Sequence, residues 1–275
     1  MMNTNMIAEI GENHYGRWDV AKGMVREAAA SGATHAKFQT YTAEQFGRDH
    51  RWYKDFKGVE VPEKVHFELQ DECRKAGIEF LSSTFTVRST QFLVEKMGLT
   101  ALKVASGRIP HLDLMDDIND RADQVKTVFL STGGSTMDEI RTAVEHLNRI
   151  EKLYVLHCVS QYPTDDENVN LRMMLDIKRE FPQHGIGYSD HSRGIEACLA
   201  AVALGAEVLE KHFTYHVNMP GDDHEGGMTP EMLAEMVGQI GRLELMLGSD
   251  KKAPVSAEEF ALSALRVTLG EVDFE

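Results

Sequence analysis

The sequence predicts an α/β fold closed into a (β/α)8 TIM barrel, on three observations. Eight short apolar or β-branched runs, at Ile7, Ala36, Ile78, Leu102, Val128, Tyr154, Ile186 and Val208, are each followed by a longer stretch of helical spacing. They recur about every 29 residues, the length of one strand, one helix and two short connections. No polar or Pro/Gly-rich linker divides the 275 residues, so the units form one domain. A doubly wound open sheet is the alternative. It is disfavoured because Glu9-Ile-Gly-Glu-Asn13, after the first run, lacks the G-x-G-x-x-G phosphate fingerprint.

Taken in order, the first strand runs through Ile7 to Glu9, the second is centred on Ala36-Lys37-Phe38, the third starts at Ile78 and the fourth contains Leu102-Lys103-Val104. The fifth, at Val128, leads into a helix that Thr136-Met-Asp-Glu139 starts with a capping box, followed by Met137, Ile140, Val144 and Leu147 on one face. The sixth lies at Tyr154. The seventh, at Ile186, precedes a helix striped by Ile195, Leu199 and Val202. After the eighth, at Val208, Thr229 caps a helix with Pro230 at its first position and Met232, Val237, Ile240 and Leu243 along its face. Residues 1–250 are thus expected to form the barrel and 251–275 a C-terminal extension.

With 42% hydrophobic and 27% charged residues, the chain has the composition of an ordinary globular protein able to bury a large core. A net charge of −15 without a local cluster of Lys and Arg opposes binding to nucleic acid or an anionic membrane. An anionic ligand must then be held by a few placed cations. The N-terminus lacks a basic, apolar secretory signal and no later run is long enough to span a bilayer, which predicts a cytoplasmic protein. Cys73, Cys158 and Cys198, widely spaced in apolar surroundings, read as reduced, buried and inert thiols.

In a barrel of this kind chemistry belongs at the C-terminal ends of the strands. Those ends carry Glu9; Lys37 and Gln39; Ser82 and Ser83; Lys103, Ser106 and Arg108; Ser131 and Thr132; His157, Ser160 and Tyr162; Ser189, Asp190 and His191; and Glu210, Lys211 and His212. Lys37 and Lys103 lie within apolar strands, where a charge is costly unless it meets an anion. The anion is either a barrel carboxylate such as Glu9 or Glu210, or a phosphate or carboxylate ligand, and the neighbouring serines favour the ligand. His191 and His212, 21 residues apart on successive strand ends, point to a catalytic divalent metal rather than a structural zinc. Met219-Pro-Gly-Asp-Asp-His224 places Asp223 above the last strand as a hydrogen-bond partner for a polyhydroxylated substrate.

Over about residues 6–247 the chain resembles the catalytic barrel of the sialic acid synthase family, enzymes that condense phosphoenolpyruvate with an amino-sugar aldehyde. The resemblance rests on Ile7-Ala-Glu-Ile-Gly11 with Asn13-His14, Ala36-Lys-Phe-Gln-Thr40, Lys103-Val-Ala-Ser-Gly107 and Leu130-Ser-Thr-Gly133. It continues through Leu156-His-Cys-Val-Ser160, Tyr162-Pro-Thr164, Gly187-Tyr-Ser-Asp-His191, Glu210-Lys-His-Phe-Thr214 and Pro220-Gly-Asp-Asp223.

The resemblance implies that His191 and His212 bind manganese or magnesium, which holds and polarises the acceptor aldehyde. It implies that Lys37, Lys103, Ser106, Ser131 and Ser189, with Ser83 and Ser160, hold the phosphate and carboxylate of phosphoenolpyruvate. Glu9 and Gln39 match polar groups near the reacting carbons, and Tyr162 and Asp223 match positions that contact the acceptor. Ser106-Gly-Arg108 stands where the family usually has Ser-Gly-Glu, so Arg108 brings a cation to the acceptor side; Ser83-Thr84-Phe85 replaces the usual Thr-Pro-Phe. The antifreeze-like domain that reaches into a partner's active site in full-length synthases is not expected after Pro254-Val-Ser-Ala257, and a homodimer is expected by analogy. Two other functions fit the same residues. One is a metal-dependent keto-acid lyase or aldolase, the other a catalytically inactive ligand-binding subunit.

Overall fold

The structure, a computed structural model, describes residues 4–267. Its eight strands are β1 (Asn5–Glu9), β2 (His35–Thr40), β3 (Glu79–Thr84), β4 (Ala101–Val104), β5 (Thr127–Ser131), β6 (Lys152–Cys158), β7 (Gly185–Asp190) and β8 (Val208–His212). All pair in parallel in sequence order and close into a barrel, with Glu9 of β1 beside both Lys37 of β2 and His212 of β8. The runs read from the sequence coincide with the strands, except that Ile78 lies just before β3.

The helices are α1 (Trp18–Ala30), α2 (Tyr53–Val59), α3 (Glu63–Ala76), α4 (Val87–Gln91), α5 (Leu112–Asp120), α6 (Met137–His146), α7 (Met173–Glu180), α8 (Glu196–Ala203), α9 (Asp222–Glu225), α10 (Pro230–Leu247) and α11 (Glu259–Leu265). The short α2 and α9 stand in the loops after β2 and β8, at the mouth of the barrel. Helix α6 starts with the capping box predicted for Thr136 and Glu139. In α10 the Thr229 hydroxyl accepts from the Met232 amide at 3.4 Å. The buried line of α10 is Leu233, Met236 and Ile240; of the residues predicted for its face, Met232, Val237 and Leu243 are only partly buried. This helix is apolar around much of its circumference, so spacing marked the buried side without locating its centre. Ile195 caps α8 instead of lying within it.

Alternation along the strands divides the molecule into two cores. Outward residues such as Met6, Ala8, Phe38, Leu102, Val128 and Leu209 join the helices in the main core. Inward residues Ile7, Leu81, Phe129, Leu156 and Val208 plug the barrel. Each large aliphatic side chain buried there contributes roughly 1.5–3 kcal/mol. Two residues further along the same inward face, apolar gives way to polar: Ile7 to Glu9, Leu81 to Ser83, Phe129 to Ser131 and Val208 to Glu210. The plug is thus the floor of a polar chamber.

Beyond α10 the chain leaves the barrel. Helix α11 has no buried residue, and Phe260 is 87% exposed. Residues 1–3 of the expected barrel and 268–275 of the expected extension lie outside the described residues. Among the described residues no helix is long and apolar enough to cross a membrane.

Candidate active site

The chamber above the plug contains one connected network of buried charges. Lys37 Nζ lies 2.7 Å from Glu9 Oε2 and 3.7 Å from Glu210 Oε1, and donates to Ser83 Oγ at 3.0 Å. Lys103 Nζ stands 3.6 Å from the same Glu210 oxygen and donates to the Val104 carbonyl at 3.1 Å. Gln39 donates to Glu9 Oε1 at 3.0 Å and Ser189 to Glu210 Oε1 at 3.1 Å. The two buried lysines therefore do meet barrel carboxylates, the first of the two explanations open to the sequence. Burial pushes the Glu9 carboxyl up to about 7 against the pull of Lys37. Glu210 is just as buried, yet Lys103 and Lys37 on either side hold it below the usual carboxylate range.

A second group of hydroxyls gathers at the ends of β4, β5 and β6. The Gly133 amide donates to Ser106 Oγ at 2.9 Å. A side-chain carbon at Gly133 would stand 2.5 Å from Ser160 Oγ and 2.9 Å from Ser106 Oγ, so glycine is what lets the two hydroxyls converge. Ser131 Oγ is buried with no hydrogen-bond partner among the described residues.

His191 and His212 are brought together, with ring centroids 5.5 Å apart. His191 Nδ1 faces the Val159 carbonyl at 2.7 Å, a contact that needs a proton on Nδ1 and leaves Nε2 free as a ligand. His212 Nδ1 is buried without a hydrogen-bond partner and lies 3.4 Å from Asp223 Oδ2. Burial, with His191 beside it, holds the His212 imidazole well below its usual range and so in its neutral, ligating form. Among the described residues no set of three or more His, Cys, Asp or Glu is arranged around one point. This donor set fits a divalent ion with two imidazoles as protein ligands and the remaining positions open to water or substrate.

Cys158 is buried as predicted, but it is not remote from the site: its Sγ lies 3.8 Å from His191 Nδ1. Burial would lower the imidazole and raise the thiol, but their mutual attraction reverses both, and His191 is pushed up to about 9, so that a metal ion at its Nε2 would have to displace a proton.

A cavity of about 800 Å³ opens beside the histidines, lined by Gln39, Tyr162, His212 and Asp223 and, further out, by Glu12 and Trp52. The Tyr162 ring lies 4.0 Å from that of His191. Asp223 is held there by stitches between the β1 and β8 loops. Asn13 Nδ2 donates to the Phe213 carbonyl at 2.9 Å, Tyr15 Oη to the Pro220 carbonyl at 2.6 Å, and the Tyr15 ring stacks on His224. Arg108 stands off this cavity, its guanidinium 5.9 Å from the centre of the Phe85 ring. Another concavity of about 520 Å³, beside α3 and β3, carries none of the strand-end residues that form the chamber.

Not every polar strand end faces inward. Ser82 bonds to Thr40 at 2.6 Å, His157 to the Val169 carbonyl at 2.8 Å, and Asp190 pairs with Lys211 at 2.6 Å, all on the helix side of the sheet. Glu210, which the sequence reading offered only as a structural partner for the two lysines, joins them both and belongs to the chamber. The period of two in Val208-Leu209-Glu210-Lys211-His212 carries that signal, since it sets Glu210 on the face of His212 and Lys211 on the other.

Comparison with known proteins agrees with this architecture. A family model described as the NeuB family matches residues 24–252. An uncharacterized protein of Methanocaldococcus jannaschii is 42% identical over 258 residues, 93% of this chain and 75% of its own length. The N,N'-diacetyllegionaminic acid synthase of Campylobacter jejuni is 35% identical over 288 residues, covering 98% of this chain and 85% of that protein. The crystal structure of the N-acetylneuraminic acid synthetase of Leptospira borgpetersenii, in complex with citrate, has a TM-score of 0.89 at 34% identity, covering 95% of this chain and 92% of that one. The family match takes in seven of the eight strands and both histidines, and the chain belongs to the NeuB family.

Proposed function

We propose that the chain is a metal-dependent synthase that condenses phosphoenolpyruvate with an aldose, an amino sugar or a relative of one. The reaction forms a C–C bond and releases phosphate, giving a 3-deoxy-2-keto sugar acid of the sialic acid type. Membership of the NeuB family and the named synthases among its relatives support this reading. The observation that carries it is the placement of Lys37 and Lys103, both buried, on either side of Glu210 and among serines, next to a pair of histidines.

Lys37 and Lys103, with Ser83, Ser106, Ser131, Ser160 and Ser189, hold the phosphate and carboxylate of phosphoenolpyruvate. His191 and His212 hold Mn2+ or Mg2+, which when bound supplies Lewis-acid polarisation of the acceptor carbonyl. Gln39, Tyr162 and Asp223 orient the acceptor. As C3 of phosphoenolpyruvate adds to the aldehyde carbon, positive charge develops at C2, where the carboxylates of Glu9 and Glu210 offset it. Water then adds at C2, and phosphate leaves from the tetrahedral intermediate by C–O cleavage. Glu9, raised to about 7, has the affinity needed to take a proton from that water near neutral pH. Arg108 is the cation that an acidic acceptor would have to reach. The enzyme works as a cytoplasmic homodimer.

The test is phosphate release from phosphoenolpyruvate with a divalent metal and a panel of free and phosphorylated aldoses. Acceptor-dependent release is expected. No turnover with any acceptor, together with no binding of phosphoenolpyruvate, overturns the proposal. Pyruvate release without phosphate would instead identify a lyase, and activity restored by a second chain would identify a binding subunit.

A further inference from the structure

Of the three cysteines, only Cys158 reaches the chamber. Leu156, two residues earlier on β6, belongs to the barrel plug, so alternation turns Cys158 inward, where it stands in register with Ser189. Cys73 and Cys198 belong instead to the main core, with 1% and 0% exposure against 6% for Cys158. Cys198 Sγ is also committed, donating to Asp190 Oδ2 at 3.4 Å. The proposed reaction leaves the Cys158 sulfur unused.

Polar groups surround that sulfur. Its Sγ lies 3.8 Å from His191 Nδ1, and Lys103 and the Ser106 hydroxyl stand near enough to act on it. A side-chain carbon at Gly133 would meet Ser160 Oγ at 2.5 Å, Ser106 Oγ at 2.9 Å and Cys158 Sγ at 3.2 Å, so the sulfur and both hydroxyls line one cradle. Ser131 Oγ, in a residue 2% exposed, has no hydrogen-bond partner and faces the same chamber by the alternation that puts Phe129 in the plug. A buried hydroxyl left without a partner marks a place for a ligand's polar atom. Ser160, two residues beyond Cys158, is exposed at the mouth, which leaves a way in.

We propose that Cys158 is an oxidation site, where a hydroperoxide converts the thiol to a sulfenic acid and so closes the donor end of the chamber. The sulfur attacks one peroxide oxygen, the O–O bond breaks, and the thiol proton goes to the departing oxygen. With hydrogen peroxide, thiol and peroxide thus give sulfenic acid and water. Negative charge grows on the departing oxygen in the transition state, where the Lys103 ammonium and the hydroxyls of Ser106 and Ser160 meet it. With no side chain on Gly133, the cradle is the open space beside Sγ, and the added oxygen takes the place of a ligand atom there. The proposed function puts phosphoenolpyruvate in that space, so the effect on binding rests on that reading. Two equivalents of an added thiol reverse the step, carrying the oxygen off as water and leaving as a disulfide.

Brief treatment of the full chain with hydrogen peroxide, then dimedone labelling and peptide mapping, locates the sulfenic acid. Calorimetric titration with phosphoenolpyruvate before treatment, after it, and after dithiothreitol reads the consequence. Label is expected on Cys158 ahead of Cys73 and Cys198. Affinity should fall by at least about tenfold, a loss of about 1.4 kcal/mol, and return with dithiothreitol. In Cys158→Ser the affinity, at whatever level, should not respond to peroxide, while the double variant Cys73→Ala, Cys198→Ala should respond as the native chain does. The labelling of the native chain decides the site even if neither variant folds. Absent label, label first on Cys73 or Cys198, or a Cys158→Ser variant as sensitive as the native chain overturns the proposal, and a labelled Cys158 with undiminished affinity overturns the closure. If the untreated chain binds no phosphoenolpyruvate, the proposed function is what fails; first labelling at Cys158 then still upholds the oxidation site, and any other pattern overturns it.

Discussion

Lys211 Nζ lies 2.6 Å from Asp190 Oδ2, and neither side chain has any exposed surface. The two residues pair across β7 and β8, and each immediately precedes a histidine of the candidate metal pair. Their side chains point to the helix layer, where Asp190 Oδ1 also accepts from the Ser192 amide at 2.8 Å and from Tyr188 Oη at 2.8 Å. The ion pair therefore ties two adjacent strand ends from outside, and so holds the imidazoles on the inside in register. It is the support of the site without being part of it.

Replacing Lys211 by Met should destabilise the protein by about 3–5 kcal/mol, because it leaves the Asp190 charge buried and unpaired. The double variant Asp190→Asn, Lys211→Met should regain a large part of that loss. Urea denaturation of the single and double variants checks this. If the double variant is no more stable than Lys211→Met, the cost lies in packing rather than charge.

His191→Ala and His212→Ala should each lower Mn2+ affinity by at least about tenfold, the scale seen when metal-site partners are removed. Both should keep the fold, since the plug below is untouched and His212 Nδ1 gives up no hydrogen bond. Calorimetric titration with Mn2+ and circular dichroism read the two effects separately. Unaltered Mn2+ binding in either folded variant removes that histidine from the ligand set.

What the sequence displayed and what it concealed follow from the physics of each signal. The barrel was legible because eight strand-to-helix repeats leave one closed solution, and strand ends pointed to Lys37, Lys103, His191 and His212. The facing of those ends was legible too, by period-two alternation, but weighing Glu210, Lys211 and His212 alike loses it. Other features depend on contacts between distant segments. Trp52, Asp55 and Phe56 reach the cavity only because α2 folds back over the mouth, and nothing in their spacing records that. Arg108 follows from the short helical turn Ser106–Arg108, which carries its side chain toward Phe85. Cys158 read as inert because burial was visible in its neighbours and His191 was not.

The partly buried Glu12 supplies a pH signature of the cavity beside His212. Tyr41 Oη donates to Glu12 Oε1 at 2.6 Å, but burial outweighs that bond and raises the carboxyl from 4.5 to about 7. Between those values the folded protein keeps a proton that the unfolded chain has lost, so stability falls as pH rises through this window. Glu12→Gln, neutral at every pH and still able to accept from Tyr41, escapes the fall. Its melting temperature should match the native protein's near pH 4.5 and exceed it at pH 8, by about 3 °C for each kcal/mol regained. Glu9, raised in the same way, tilts both proteins alike, so the difference between the two melting curves isolates Glu12. A gap that stays constant from pH 4.5 to 8 would mean that the Glu12 carboxyl ionises as freely in the folded protein as in the unfolded chain, and that the cavity wall is open to water at that point.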